Sequence, residues 1–268
     1  MAMRHAFALT IGALVLCLAT ARAVGADEVR VVTFCYNDWP PYAALADGEA
    51  VGLSVDILRE AVRRAGQRPH FVEFPWKRCL QAVRDGEVDA VMDASDRPEF
   101  VHGAVSFSVD TNTFWVREDD PQIVFDAAAL AGRRLGLVTG YIYGDAMDAL
   151  FAEHGMQIDR SVDDAMNVKK LSFGRTDVIV GDFVSTQRFV NAKRLNLRAL
   201  QPSHSVDFLH TAFNPARAAI MQRVDAALLE MCRDGWIEAA YRKTLGVGFS
   251  VVTGAADCTP ESLAAVRN

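Results

Sequence analysis

The chain has 268 residues, enough for one large domain or two of ordinary size. With 51% hydrophobic and 23% charged residues it can build a core, which excludes wholesale disorder. Its 28 basic and 34 acidic residues leave a net charge of -6, which argues against a nucleic-acid binder, and its five cysteines contain no Cys-x-x-Cys pair, which argues against a structural zinc site or a thioredoxin-like redox site.

Residues 1–26 read as an export signal: a positive start with Arg4, an apolar run from Ala6 to Ala19, and small residues at Ala21, Ala23 and Ala26. The expected signal peptide is 1–23, with cleavage after Ala26 as the alternative. About 14 apolar residues fall short of the roughly 20 needed to span a bilayer, and Leu16 before Cys17 argues against lipidation. The mature chain is therefore expected in the periplasm, with a net charge of -8 and with Cys35, Cys79, Cys232 and Cys258. In an oxidising compartment four cysteines pair in three ways, or stay as buried thiols. Pairing Cys35 with Cys79 and Cys232 with Cys258 is favoured, because each pair shares a region and closes a loop worth about 3–4 kcal/mol.

Strand-like and helix-like segments then alternate. Val29–Phe34 is a strand, and Ser54 starts a helix whose Val55, Leu58, Ala61, Val62 and Ala65 recur at helical spacing until Gly66. Phe71–Phe74 is a strand, Trp76–Asp85 a helix ended by Gly86, and Asp89–Met92 a third strand. Thr113–Arg117 leaves this unit as a strand. A second unit follows: strand Leu135–Val138, a turn at Gly140–Gly144, helix Asp145–His154, a helix start with a capping-box pattern at Ser161–Asp164, and strand Val178–Val180 with Asp182 as a helix N-cap. Leu209–Phe213 is a strand, after which one helix runs from Pro215 to Gly235 and another over Trp236–Leu245.

Strands alternating with helices at this spacing predict α/β architecture with mainly parallel sheets. The two units joined at Thr113–Arg117 and Leu209–Phe213 predict two lobes, 27–114 with 212–268 and 115–211, with a ligand cleft between them at the carboxyl ends of strands. No strand is followed by Gly-x-Gly-x-x-Gly, and neither a Walker sequence nor a Gly-x-Ser-x-Gly elbow occurs. The six histidines show no metal-ligand spacing, so no metal site and no cofactor are expected.

The ordered series Trp39-Pro40-Pro41-Tyr42, Gly52-Leu53-Ser54-Val55-Asp56-Ile57-Leu58, Leu80–Ala90, Arg97, Leu130–Leu137 and Gly174–Asp182 resembles the family 3 extracellular solute-binding proteins of bacterial ABC importers. The resemblance runs from about residue 29 to 246. It implies a two-lobed periplasmic-binding-protein-like fold of type II, and a monomer that closes on a small solute and hands it to an inner-membrane ABC permease. It further implies that Arg97 grips a ligand carboxylate and Asp182 an ammonium; guanidinium suits bidentate carboxylate binding. The plainer readings are a surface arginine beside Asp96 and Glu99, and a helix cap. Two departures stand out. The segment between Asp89 and Arg97 is short and poor in hydroxyls, and Tyr141 follows Gly140 where the family tends to place Ser or Thr. Asp93, if it faces the cleft, favours an amine-bearing solute; otherwise it is a strand-end carboxylate in solvent. Asp38, Trp39, Tyr42, Trp76 and Tyr141 lie in loops or at a helix start, where aromatics line a pocket or serve as packing.

Three function classes follow: a transport receptor for a small polar solute such as an amino acid or related amine or carboxylate, a cyclohexadienyl-dehydratase-like enzyme on the same fold, and a ligand-binding sensory subunit. The binder is the leading reading, because a cleft carboxylate alone provides no second catalytic group.

Overall fold

The computed structural model describes residues 29–266; the expected export signal, with Cys17, lies outside them. In chain order the strands and helices are β1 (Val31–Tyr36), β2 (Ala44–Ala46), β3 (Glu49–Val51), α1 (Leu53–Arg64), β4 (Arg68–Glu73), α2 (Trp76–Arg84), β5 (Ala90–Ala94), β6 (Val101–His102) and β7 (Ser108–Arg117). There follow β8 (Arg134–Val138), α3 (Asp145–Glu153), β9 (Gln157–Ser161), α4 (Asp164–Ser172), β10 (Val178–Asp182), α5 (Phe183–Lys193) and β11 (Leu197–Phe213). The chain closes with α6 (Ala218–Arg233), α7 (Trp236–Leu245), α8 (Phe249–Thr253) and α9 (Pro260–Ala264).

The fold is α/β and two-lobed, that of periplasmic binding proteins. The strand order is β4-β1-β5-β11-β7-β10-β8-β9, with β6 against β11. Within each half the pairs β1/β4, β1/β5, β8/β10 and β8/β9 are parallel. The long strands β7 and β11 run antiparallel to each other and cross from one half to the other. One core gathers β1 and α1 with Val105, Phe107, Leu209, Phe213 and the inner faces of α6 and α7. A second core gathers Phe114, Val116, Leu135, Leu137, Val178, Val180 and Leu200. We keep the division into 27–114 with 212–268 and 115–211 as a proposal, because these cores part along β7 and β11.

α1 shows how the pattern makes the element. Val55, Ile57, Leu58, Ala61 and Val62 are all buried on one face, and each fully buried large apolar side chain contributes about 1.5–3 kcal/mol. Disulfides join Cys35 of β1 to Cys79 of α2, and Cys232 of α6 to Cys258 ahead of α9.

Four expectations need correction. β11 has 17 residues, where Leu209–Phe213 alone was expected, and β7 starts at Ser108 rather than Thr113. The added part of β7 is mostly polar although largely buried, and that of β11 is largely half buried or exposed, so apolar alternation does not mark them. Ser161 does not open a helix: it ends β9 opposite Val138, and Asp163 caps α4 by accepting from the Met166 N–H at 2.6 Å. The helix from Pro215 begins as a single 3-10 turn, Pro215–Arg217, before α6. Among the described residues no helix is long and apolar enough to cross a membrane.

Candidate functional site

The loop after β1 is held by the start of α1. Gly52 caps that helix without a side chain, so the first orphan N–H groups need other acceptors. The Pro41 and Tyr42 carbonyls supply them, accepting from Leu53 N at 2.9 Å and Ser54 N at 3.0 Å. Only glycine permits this approach: Gly52 has φ +128°, and a Cβ there would lie 2.3 Å from the Tyr42 carbonyl oxygen. The motif Trp39-Pro40-Pro41-Tyr42 and the motif at Gly52 are thus two sides of one joint, which sets Trp39 at the cleft stacked on Tyr42 with ring centroids 4.1 Å apart.

A cavity of about 40 Å³ lies where β1 and β5 end, facing the turn after β8. Trp39, Trp76, Asp93, Arg97 and Tyr141 line it together with Asp110 of β7. Hydrogen bonds close the cleft around it. The Gly140 carbonyl accepts from Arg97 Nη2 at 2.6 Å and from Trp76 Nε1 at 3.0 Å. Trp39 Nε1 donates to Ser185 Oγ at 3.1 Å. Asn37 Nδ2 donates to Tyr141 Oη at 3.0 Å, and that hydroxyl donates onward to Asp164 Oδ2 at 2.7 Å. Gly140 needs its φ of +87°, and a Cβ there would press on Trp76 Cδ1 at 3.2 Å.

The electrostatics are acidic. Asp93 sits at the end of β5 with φ +52° and accepts from the hydroxyls of Ser54, at 2.8 Å, and Ser108. Burial pushes its carboxyl up to about 6, against the pull of those two hydroxyls. Asp164 is pushed up to about 7 by burial, with Asp182 and Asp163 adding to it. Asp110 Oδ1 is buried with no hydrogen-bond partner among the described residues. Burial, then the charges of Asp182, Asp207 and Asp164, hold the Asp110 carboxyl well above the usual carboxylate range. Arg97 is 9% exposed, stands over the Trp76 ring at 5.7 Å and has its Nε unpaired among the described residues. Burial pulls its guanidinium below its ordinary value.

Of the residues expected from the sequence, five line the cavity: Trp39, Trp76, Asp93, Arg97 and Tyr141. Gly140 meets Arg97 and Trp76 through its carbonyl. Tyr42 lies behind Trp39, fully buried. Asp38 is exposed and borders a separate pocket with Asp164 and Phe189. Asp182 does not line the cavity. Its Oδ1 accepts from Thr111 N at 3.0 Å and its Oδ2 from Ser185 N at 2.8 Å, so both oxygens serve strand and helix. The residue that sequence reasoning missed is Asp110. The run Ser108-Val109-Asp110-Thr111-Asn112 carries no sustained apolar alternation, so no local signal points to it.

The model of the bacterial extracellular solute-binding proteins, family 3, matches residues 31–247. The probable ABC transporter extracellular-binding protein YckB of Bacillus subtilis (strain 168) is 28% identical over 139 residues, 49% of this chain and 47% of that protein. The histidine-binding periplasmic protein of Salmonella typhimurium (strain LT2) is 25% identical over 155 residues, 54% of this chain and 59% of that protein. These matches span about half the length of the curated relatives. The crystal structure of a histidine kinase sensor domain with similarity to periplasmic binding proteins superimposes at TM-score 0.70 with 22% identity, over 82% of this chain and 97% of that one.

Proposed function

We propose, from the premise that the chain belongs to the bacterial extracellular solute-binding proteins, family 3, that it is the periplasmic receptor of an ABC importer and captures a small polar solute by closure of its two lobes. The observation that carries the reading is the cavity walled by polar and aromatic side chains from both halves and bridged at Gly140, Tyr141 and Ser185. Such a site gains its energy from contacts made to both lobes at once, and closure excludes water from its charged hydrogen bonds. The curated relatives are named as binding proteins, which supports binding over catalysis. The solute belongs to the amino acids and their related amines and carboxylates.

A thermal-shift screen over amino acids, polyamines and small organic acids tests the reading, because a ligand that binds the native state raises its unfolding temperature by mass action. A saturable shift confirmed by calorimetry is the expected result. No shift across the whole set overturns it.

The likeness to a histidine kinase sensor domain supports a second reading, a ligand-binding subunit that feeds a receptor instead of a permease. Reconstitution separates the two: an import receptor stimulates the ATPase of its permease when loaded with solute, and a sensory subunit does not.

A further inference from the structure

The charges around the cavity do not balance. Asp93 and Asp110 face it, and among the described residues Arg97 is the one basic side chain in its wall. Arg97 already gives Nη2 to the Gly140 carbonyl. Asp93 has its Oδ1 bonded by the two serine hydroxyls, and Asp182 is occupied by backbone N–H groups. Asp110 differs: its Oδ1 is buried and has no donor among the described residues.

Resting on the receptor reading above, we propose that Asp110 receives the positive end of the ligand, and that the ligand is a small organic cation carrying ammonium or guanidinium N–H groups. A buried carboxylate without a donor is costly, and an N–H cation supplies both the missing hydrogen bond and the missing charge. The groups facing Asp110 deepen the need. Asp207 is its direct cross-strand neighbour on β11, Asp182 lies on β10 and Asp164 on α4, and the hydroxyls of Tyr42 and Tyr143 are close by. Like charges directly opposite on a sheet repel. Among the described residues no three His, Cys, Asp or Glu side chains converge as metal ligands do, which turns the choice to an organic cation. The rings of Tyr36, Trp39, Trp76 and Tyr141 in the wall suit such a guest, since their faces attract cations.

The test is calorimetry on the mature chain, refolded from denaturant to strip carried-over solute, against arginine, lysine, putrescine, glutamine and glutamate. The wild type is expected to bind at least one of the three cations and not glutamate. Asp110→Asn is expected to weaken that cation about 100-fold or more, while unfolding at a higher temperature because the repulsion with Asp182 and Asp207 is relieved. A cation bound by Asp110→Asn within threefold of wild type overturns the role of Asp110 and leaves the receptor reading standing. Glutamine or glutamate bound in place of every cation overturns the ligand class alone. No binding of these five solutes, nor of any in the wider screen, overturns both.

Discussion

Arg97 donates Nη2 to the carbonyl oxygen of Gly140 at 2.6 Å, so the side chain expected to grip a ligand also bridges the two sides of the cleft. Its Nε is buried and unpaired among the described residues, which leaves a donor for a carboxylate on the ligand. Arg97→Ala should therefore weaken arginine, which carries a carboxylate, by about 2–5 kcal/mol. Putrescine, which has none, should lose less. Calorimetry on both ligands reads the difference, and near-normal affinity for arginine removes Arg97 from the site.

Gly140 is the acceptor in that bridge and holds φ +87°. Gly140→Ala forces a side chain into the left-handed region and against Trp76, a strain of about 1–3 kcal/mol. The turn should yield by moving its carbonyl, which loosens both bonds at once. We expect roughly tenfold weaker ligand binding, and small-angle scattering that reports a larger radius of gyration. Unchanged scattering with unchanged affinity refutes the bridge as a closure element.

Asp182 caps α5 and ties it to β7 through Thr111. Asp182→Ala removes two acceptors from buried N–H groups, and each such orphan costs about 1–3 kcal/mol. Relief of repulsion with Asp110 offsets part of the loss. The larger effect should fall on stability, measured by denaturant titration, and the smaller on affinity. The reverse order would return Asp182 to the ligand.

These residues show what is legible in a sequence of this kind. Asp182 as an N-cap was readable, since an Asp between an apolar strand and a helix has one local job whatever the fold. The motif around Gly52 and the aromatic loop were readable too, because each lies on one continuous segment. Asp110 was not. It gains its role from Asp182, Asp207 and Asp164, which stand 54 to 97 positions away in the chain, on β10, β11 and α4. The same holds for β11, whose polar outer half is a strand only because β7 lies beside it.

Burial raises the Asp93 carboxyl to about 6 and that of Asp164 to about 7. The unfolded chain releases these protons near the ordinary carboxylate range, so between the two the native state binds more protons than the unfolded state. Stability is then greatest at acid pH and declines as pH climbs through about 6 and 7. The ligand-free protein should unfold at least roughly 5 °C lower at about pH 7.5 than at about pH 4.5. Calorimetric scans showing a flat or rising unfolding temperature would mean that these carboxyls are better solvated than the structure places them.

The disulfides close segments of 44 and 26 residues, and each should contribute about 3–4 kcal/mol by restricting the unfolded chain. Their effects on function should differ. Cys35–Cys79 ties β1 to the helix that carries Trp76, whereas Cys232–Cys258 secures the C-terminal helices on the first core. Replacing Cys232 and Cys258 by serine should lower stability and spare affinity, while replacing Cys35 and Cys79 should lower both. Mass mapping without reductant checks the linkages first, and four free thiols would end this prediction.

Tyr141 sits in the middle of a chain of donors and acceptors, taking a hydrogen bond from Asn37 and giving one to Asp164. Its hydroxyl joins the loop after β1 to the turn after β8, and it donates to the buried Asp164 carboxyl. Tyr141→Phe keeps the ring, and with it the edge-to-face contact to Trp76 at 5.7 Å. It therefore deletes the hydrogen bonds without removing the aromatic wall. The cost should be about 1–3 kcal/mol for the orphaned partners, felt mainly in the closed form, where Asn37 and Tyr141 meet. Affinity should fall roughly tenfold, and the Asp164 carboxyl, without its donor, should hold its proton to higher pH. That shift makes the affinity loss separable from a packing defect. Carbon-13 NMR of labelled aspartate would follow Asp164 directly: a midpoint above that of the wild type supports the relay, and an unmoved midpoint assigns the hydroxyl to packing alone.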